Sequence, residues 1–131
     1  MEMRISFQGN QKVAADFAGL KVLTDQPLED GGEGLAPSPF QLFLASLGTC
    51  AGFFVLSFCR KRRIPTDGIE LVQTALWDPD KHLATRISLE IRIPKSFPEK
   101  YKDSLVSAAN LCTVKRHLQA PPQFEIKTRV V

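Results

Sequence analysis

Residues 34–59 run for 26 positions without a single charged side chain. Few structures can hold such a run. Ser38 followed by Pro39 offers a helix start, because serine caps free amides and proline is tolerated in the first turn. Arg60-Lys61-Arg62-Arg63 supplies the cations that suit a helix C-terminus, and Ile64-Pro65 stops the helix. The helix between is apolar almost all round, so it is expected to be buried on most sides. A bilayer span takes about 20 such residues, and basic residues follow here as they follow many spans. Against lipid, Gln41, Ser46, Gly48, Thr49, Gly52 and Ser57 dilute the run. Strand-like segments on both sides are also expected to form one sheet, which a single mid-chain span would separate. A central helix wrapped by a sheet and a partner subunit is the simpler account.

Before this helix, Met3, Ile5 and Phe7 alternate with Arg4 and Ser6, Gly9-Asn10 offers a turn, and residues 12–17 and 20–23 resume extended runs around Gly19. This pattern predicts an antiparallel meander. Residues 24–39, rich in Asp, Gly and Pro, form a loop. After the helix, residues 69–77 and 83–93 predict a hairpin around Asp78-Pro79-Asp80-Lys81. Ile87, Leu89, Ile91 and Ile93 share its packed face, and Arg86, Ser88, Glu90 and Arg92 its wet face. Ser96-Phe97-Pro98-Glu99 reads as a capping box. The helix it opens places Tyr101, Leu105, Ala108 and Cys112 on one face. Pro121-Pro122 closes that region, and residues 124–131 alternate as a last strand. The order is that of an α+β domain. A length of 131 residues favours one domain over 1–131, large enough to bury a core without staples.

Three cysteines make a secreted disulfide framework unlike this chain, and residues 1–7 read as a strand rather than a leader, so a cytoplasmic protein with resting thiols reduced is expected. A net charge of +3 is too small to argue for nucleic acid. No phosphate-cradling or serine-nucleophile motif occurs, and His82 and His117 lie far apart with no zinc spacing, so no metal or cofactor is expected. The chemistry therefore rests on thiols, which react as thiolates. Cys112 has Lys115, Arg116 and His117 within one turn, and lies near a new helix start if the chain breaks helix at Asn110 or Thr113. Cys50 has only apolar neighbours in sequence and needs activating groups from elsewhere in the fold. Cys59, nine residues on, faces the opposite side of the helix from Cys50. The pairings left open are Cys50 with Cys112 and Cys59 with Cys112.

The glycine pair Gly31-Gly32, the start Pro37-Ser38-Pro39, Cys50 within the helix, Leu111-Cys112-Thr113-Val114 and Pro121-Pro122 together resemble the OsmC/Ohr family, nearest its broader OsmC-like branch. The resemblance implies an OsmC-like fold: antiparallel β-sheets wrapped around long central helices in an intertwined homodimer. It implies sites at the subunit interface, with Cys50 as the peroxidatic thiol and Cys112 as the resolving one. It implies an organic hydroperoxide as substrate and a dithiol reductant as partner. The chain departs from the family in two respects. Phe40 stands ten residues before Cys50, where classical members carry Glu, and Arg4 is the one arginine before Arg60, with Lys12 and Lys21 the other cations of the expected meander. The alternative function is a non-catalytic dimer whose apolar interface pocket holds a small hydrophobic molecule. Neither reading involves nucleic acid or a membrane.

Overall fold

A computed structural model describes residues 1–131. Its elements are β1 (Arg4–Phe7), β2 (Val13–Phe17), β3 (Leu20–Thr24), α1 (Pro39–Lys61), β4 (Glu70–Asp78), β5 (Leu83–Arg92), α2 (Lys102–Ala109) and α3 (Thr113–Gln119). The fold is α+β with antiparallel sheets. The chain forms two compact units, Met1–Ala45 and Ser46–Val131. The strands make two sheets rather than one: β1-β2-β3 in the first unit and β4-β5 in the second.

In the first unit the meander forms as its pattern predicts. β2 and β3 are joined by Ala18 and Gly19, both at positive φ, between the paired residues Phe17 and Leu20. Two left-handed residues in a two-residue loop match the twist of the flanking strands. The apolar face of β1 is open in the single chain, with Ile5 and Phe7 exposed.

The loop after β3 is held by one carboxylate. Asp25 is fully buried. Its Oδ1 accepts from the Gln26 amide at 2.8 Å, and its Oδ2 accepts from the amides of Leu35 at 3.1 Å and Glu33 at 3.2 Å. The same loop brings Gly32 against the backbone, where a Cβ would sit 1.8 Å from the Gln26 carbonyl oxygen, so no side chain fits. Burial works against the Asp25 charge. The amides of Leu35, Gln26 and Glu33, with the nearby Lys12 ammonium, outweigh it and hold the pKa below the usual carboxylate value. A depressed folded-state pKa stabilises fully above the unfolded value of 3.8, and that contribution is lost as pH falls through the folded value. Asp25→Asn is therefore expected to flatten the acid limb of stability against pH. Urea titrations at about pH 4 and about pH 2 measure it, and an unchanged slope between them would refute the assignment.

α1 begins as the sequence predicts. The Gln41 amide donates to Ser38 Oγ at 3.2 Å while the Ser38 amide donates to Gln41 Oε1 at 2.9 Å, a reciprocal cap. At the far end Ile64 N donates to the Cys59 carbonyl at 2.9 Å, and Arg63 adopts φ 55°. Chain reversal there uses an arginine where glycine is the common choice. Within the second unit α1 buries one stripe, Leu47, Ala51, Val55, Phe58 and Cys59, and leaves Phe53 62% exposed. By length and composition α1 is apolar enough to cross a membrane. The single chain thus buries less of this helix than its all-round apolarity predicts.

Val55, Phe58, Cys59, Phe97 and Leu105 form the core of the second unit, with Ile64, Leu71, Ile91 and Ile93 packed around them. The Arg62 guanidinium lies over the Phe58 ring at 3.7 Å. The β4–β5 hairpin turns on Asp78, whose Oδ1 accepts from the amides of Asp80 at 3.0 Å and Lys81 at 3.2 Å. A bulge between Leu76 and Trp77 shifts the register near that turn.

Three local expectations fail. Ser96 caps nothing: the chain instead makes a 3₁₀ turn over Glu99–Tyr101, and α2 starts at Lys102. Phe97 is drawn into the core, and its amide donates to the Pro94 carbonyl at 2.9 Å, which turns the backbone away from helix before Pro98. Cys112 does not lie on α2, which stops at Ala109. Asn110 ends the helix, its side-chain Nδ2 donating to the Val106 carbonyl at 3.2 Å. Residues 124–131 form no strand, and Phe124, Ile126 and Val130 are almost fully exposed. A strand needs a ladder partner, and nothing in the single chain pairs with this one.

Candidate thiol site

The helix break after Ala109 builds the site. Cys112 takes a non-helical conformation, φ −46° and ψ 115°, and becomes the N-cap of α3. Its sulfur accepts from the Lys115 amide at 3.3 Å. On its other side the thiol donates to the Leu47 carbonyl of α1 at 3.8 Å. Cys112 is therefore 3% exposed, as its expected core position implied, but through a cap rather than a helix face.

Cys50, one turn beyond Leu47 and partly exposed, meets the start of α3. The backbone amide of Val114 does most to draw the Cys50 thiol below its usual pKa. Burial opposes this, while the Cys112 thiol and the backbone amide and hydroxyl of Thr113 add to the pull. The Cys112 side chain thus lies close enough to Cys50 to act on its ionisation, and both are free thiols. Cys59 is kept apart: it is fully buried in the core, and burial pushes its thiol up against a smaller opposing effect of Arg62. Of the pairings left open by the residues, the structure assembles Cys50 with Cys112.

The cations near Cys112 act otherwise than their spacing suggests. Lys115 reaches the Cys112 sulfur with its amide, and its ammonium binds Asn110 Oδ1. His117 Nδ1 is bonded to the Thr113 carbonyl at 2.7 Å, and His82 sits exposed in the hairpin turn at φ 52°. In the first unit Arg4, Lys12 and Lys21 pair with Glu2, Glu33 and Asp16, and the ring of Phe40 stacks on Phe43 at 5.6 Å. The groups that tune Cys50 are the Val114 and Thr113 amides, the Cys112 thiol and the Thr113 hydroxyl.

An apolar cleft of about 390 Å³ opens beside the pair. Leu47 and Ala51 of α1, Leu89 and Ile91 of β5, and Val106 of α2 give it apolar walls, and Cys112 is part of its lining. Gln73 and Lys115 add polar groups. A Cβ on Gly48 would lie 3.1 Å from Gln73 Oε1, so glycine at this position lets that amide lie against α1. Sequence reasoning did not single out Gln73, although it was legible there as the polar residue on an otherwise apolar strand face, paired with Leu89.

Fold and site together define a small α+β protein with two neighbouring thiols at a helix N-terminus, one buried and one partly exposed. A sequence model of the OsmC-like protein family matches residues 31–127, and the chain belongs to that family. Solved structures share the fold. One, from Psychrobacter arcticus and named for osmotic stress and detoxification response, is 22% identical with a TM-score of 0.74, covering 87% of this chain and 85% of its own. An OsmC-like protein of unknown function from Vibrio cholerae is 15% identical with a TM-score of 0.66, covering 88% and 90%. An organic hydroperoxide resistance protein OsmC from Legionella pneumophila is 20% identical with a TM-score of 0.55, covering 91% and 90%. No curated protein matches the sequence.

The geometry carries a direct expectation about ionisation. Ultraviolet thiolate absorbance of the reduced protein should show one thiol ionising below the usual range, and Cys50→Ser should remove that step. An acidic thiol that survives Cys50→Ser would overturn the assignment.

Proposed function

We propose that this chain is a cytoplasmic thiol-dependent redox protein that reduces organic hydroperoxides, with Cys50 as the peroxidatic sulfur and Cys112 as the resolving one. The observation that carries the reading is the pairing of a thiol drawn toward thiolate by the Val114 amide with a second thiol in reach of it. Membership of the OsmC-like family, and the hydroperoxide resistance for which the Legionella protein is named, support it. The Cys50 thiolate attacks the distal peroxide oxygen: an S–O bond forms, the O–O bond breaks, and the departing alkoxide takes up, from the surrounding water, the equivalent of the proton the Cys50 thiol gave up, leaving as the alcohol. The Cys112 sulfur then attacks the Cys50 sulfenic acid, forming a disulfide and releasing water. A dithiol reductant returns both thiols. The working form is an intertwined homodimer. The exposed Phe53 of α1, the open face of β1 and the unpaired residues 124–131 are apolar surface that a second copy would cover.

Titrating cumene hydroperoxide into reduced protein tests the reading. The expected result is loss of both thiols of the pair, with one alcohol formed for each disulfide. An unchanged thiol count at excess peroxide would reject it.

The cleft favours one alternative, a non-catalytic dimer that holds a small hydrophobic molecule. About 390 Å³ with mostly apolar walls lies within the range of small-molecule sites. A co-purified apolar ligand, with thiols inert to peroxide, would select this reading.

A further inference from the structure

A second cleft, also of about 390 Å³, opens at the C-terminal end of α1 and shares no residue with the one beside Cys112. Two stretches of the second unit build it, residues 62–67 after α1 and residues 94–101 before α2. Arg62, Arg63 and Lys100 line it against a single carboxylate, Asp67. We infer that this cleft binds a small organic phosphate, with the dianion among the three cations and the body against Pro94, Pro98 and Tyr101. The site goes beyond the redox reading and does not depend on it.

Three observations carry it. The first is charge without a partner. None of the three cations stands in an ion pair, and Glu99, beside Lys100 in sequence, is taken by Lys102. Two of them are gathered on one ring: Arg62 Cζ lies 5.4 Å and Lys100 Nζ 5.0 Å from the Tyr101 centroid. Like charges so placed repel, and an anion that meets both relieves the repulsion. The second is that capping of α1 leaves these side chains to spare. The Arg62 and Ile64 amides donate to the Cys59 carbonyl at 3.1 and 2.9 Å, and the Arg63 amide to the Arg60 carbonyl at 3.2 Å. Of the three side chains, Arg62 alone reaches a helix carbonyl, that of Phe58 at 3.5 Å, with one of its five N–H groups. The third is backbone strain. Arg63 adopts φ 55°, where glycine is the ordinary residue after a helix. An arginine held there costs stability that glycine would not, and such costs gather at binding sites.

The chemistry of the lining selects the ligand. A guanidinium offers paired N–H groups that match phosphate oxygens, and an ammonium adds a point charge. Three cations and one carboxylate leave two positive charges in excess, which a phosphate monoester matches and a carboxylate half matches. Ser96, which caps no helix, adds a hydroxyl to the same wall. The two prolines and the Tyr101 ring give an apolar flank, and the volume suits a small molecule.

Isothermal titration calorimetry of the reduced whole chain tests the site, with phenyl phosphate, inorganic phosphate and phenylacetate as probes. Phenyl phosphate is expected to bind at least about tenfold more tightly than either of the others. Lys100→Gln and Arg63→Gly should each weaken it by about tenfold, the effect of one charge-assisted hydrogen bond. Arg63→Gly should at the same time raise the urea midpoint, because glycine relieves the strained turn. Lys81→Gln, which removes the same charge from the distant hairpin turn, should bind as the parent does. No binding of phenyl phosphate at millimolar concentration, or equal weakening by Lys81→Gln, overturns the site. Inorganic phosphate binding as tightly as phenyl phosphate overturns the apolar flank, and phenylacetate binding as tightly overturns the dianion. The measurement involves no thiol step, so its failure leaves the redox reading standing, and failure of the peroxide titration leaves this site standing.

Discussion

If Cys50 is the peroxidatic sulfur, as proposed, Cys50→Ser is expected to lower the rate of hydroperoxide reduction by on the order of a thousandfold or more, because a hydroxyl cannot replace the thiolate. Cys112→Ser should behave differently. The first turnover still consumes one peroxide, and the chain then halts with a sulfenic acid on Cys50 that a dimedone adduct reveals. Cys59→Ser should leave the rate within about twofold while lowering stability, since a serine hydroxyl buried in that apolar core has no partner supplied for it. Stopped-flow peroxide consumption across the three variants separates the roles. A Cys50→Ser protein that keeps its rate would end the assignment. So would a Cys112→Ser protein that cycles with a dithiol as fast as the parent.

The largest stability effect is expected at Leu105. It is 2% exposed and packs with Val55, Phe58, Cys59 and Phe97 in the core of the second unit. Leu105→Ala removes buried methyl groups and leaves a void that its neighbours refill only in part, a loss of about 2–5 kcal/mol. Val106, the next residue, is 53% exposed, and Val106→Ala should cost about 0.5 kcal/mol or less. Urea unfolding of both variants measures the difference. Equal losses at the two positions would mean that α2 packs with a different face than described.

Much of the fold was legible because local chemistry marks it. Ser38, Pro39 and the cations after Cys59 bound α1 with little help from the rest of the chain, and Asp78 carries its hairpin turn in its own side chain. The errors have separate causes. Ser96 and Glu99 have capping-box spacing, but Phe97 between them is claimed by the core. Residues 124–131 alternate like a strand, but alternation does not supply a neighbour to pair with. The spacing from Tyr101 to Cys112 reads as one helical face, but Asn110 interrupts it. At Phe97 a contact distant in sequence overrides the local signal, in residues 124–131 the contact a strand needs is missing, and at Asn110 a local bond ends the helix. The site was legible only as residue types. Two cysteines, their separation and the family resemblance were in view. The Val114 and Thr113 amides were not, because every residue but proline has one and only the fold decides where it points.

The short break between α2 and α3 has a consequence for working conditions. A thiol made acidic by a lysine or arginine responds to ionic strength, since mobile ions compete for the same charge. Cys50 is tuned instead by neutral groups, the Val114 amide first, then the Cys112 thiol and the Thr113 amide and hydroxyl. These add no net charge, and dissolved salt has little to screen. Nor can a side-chain substitution at Val114 delete the amide short of proline. The acidity of this thiol is thereby led by the course of the main chain, and it should tolerate both brine and sequence drift.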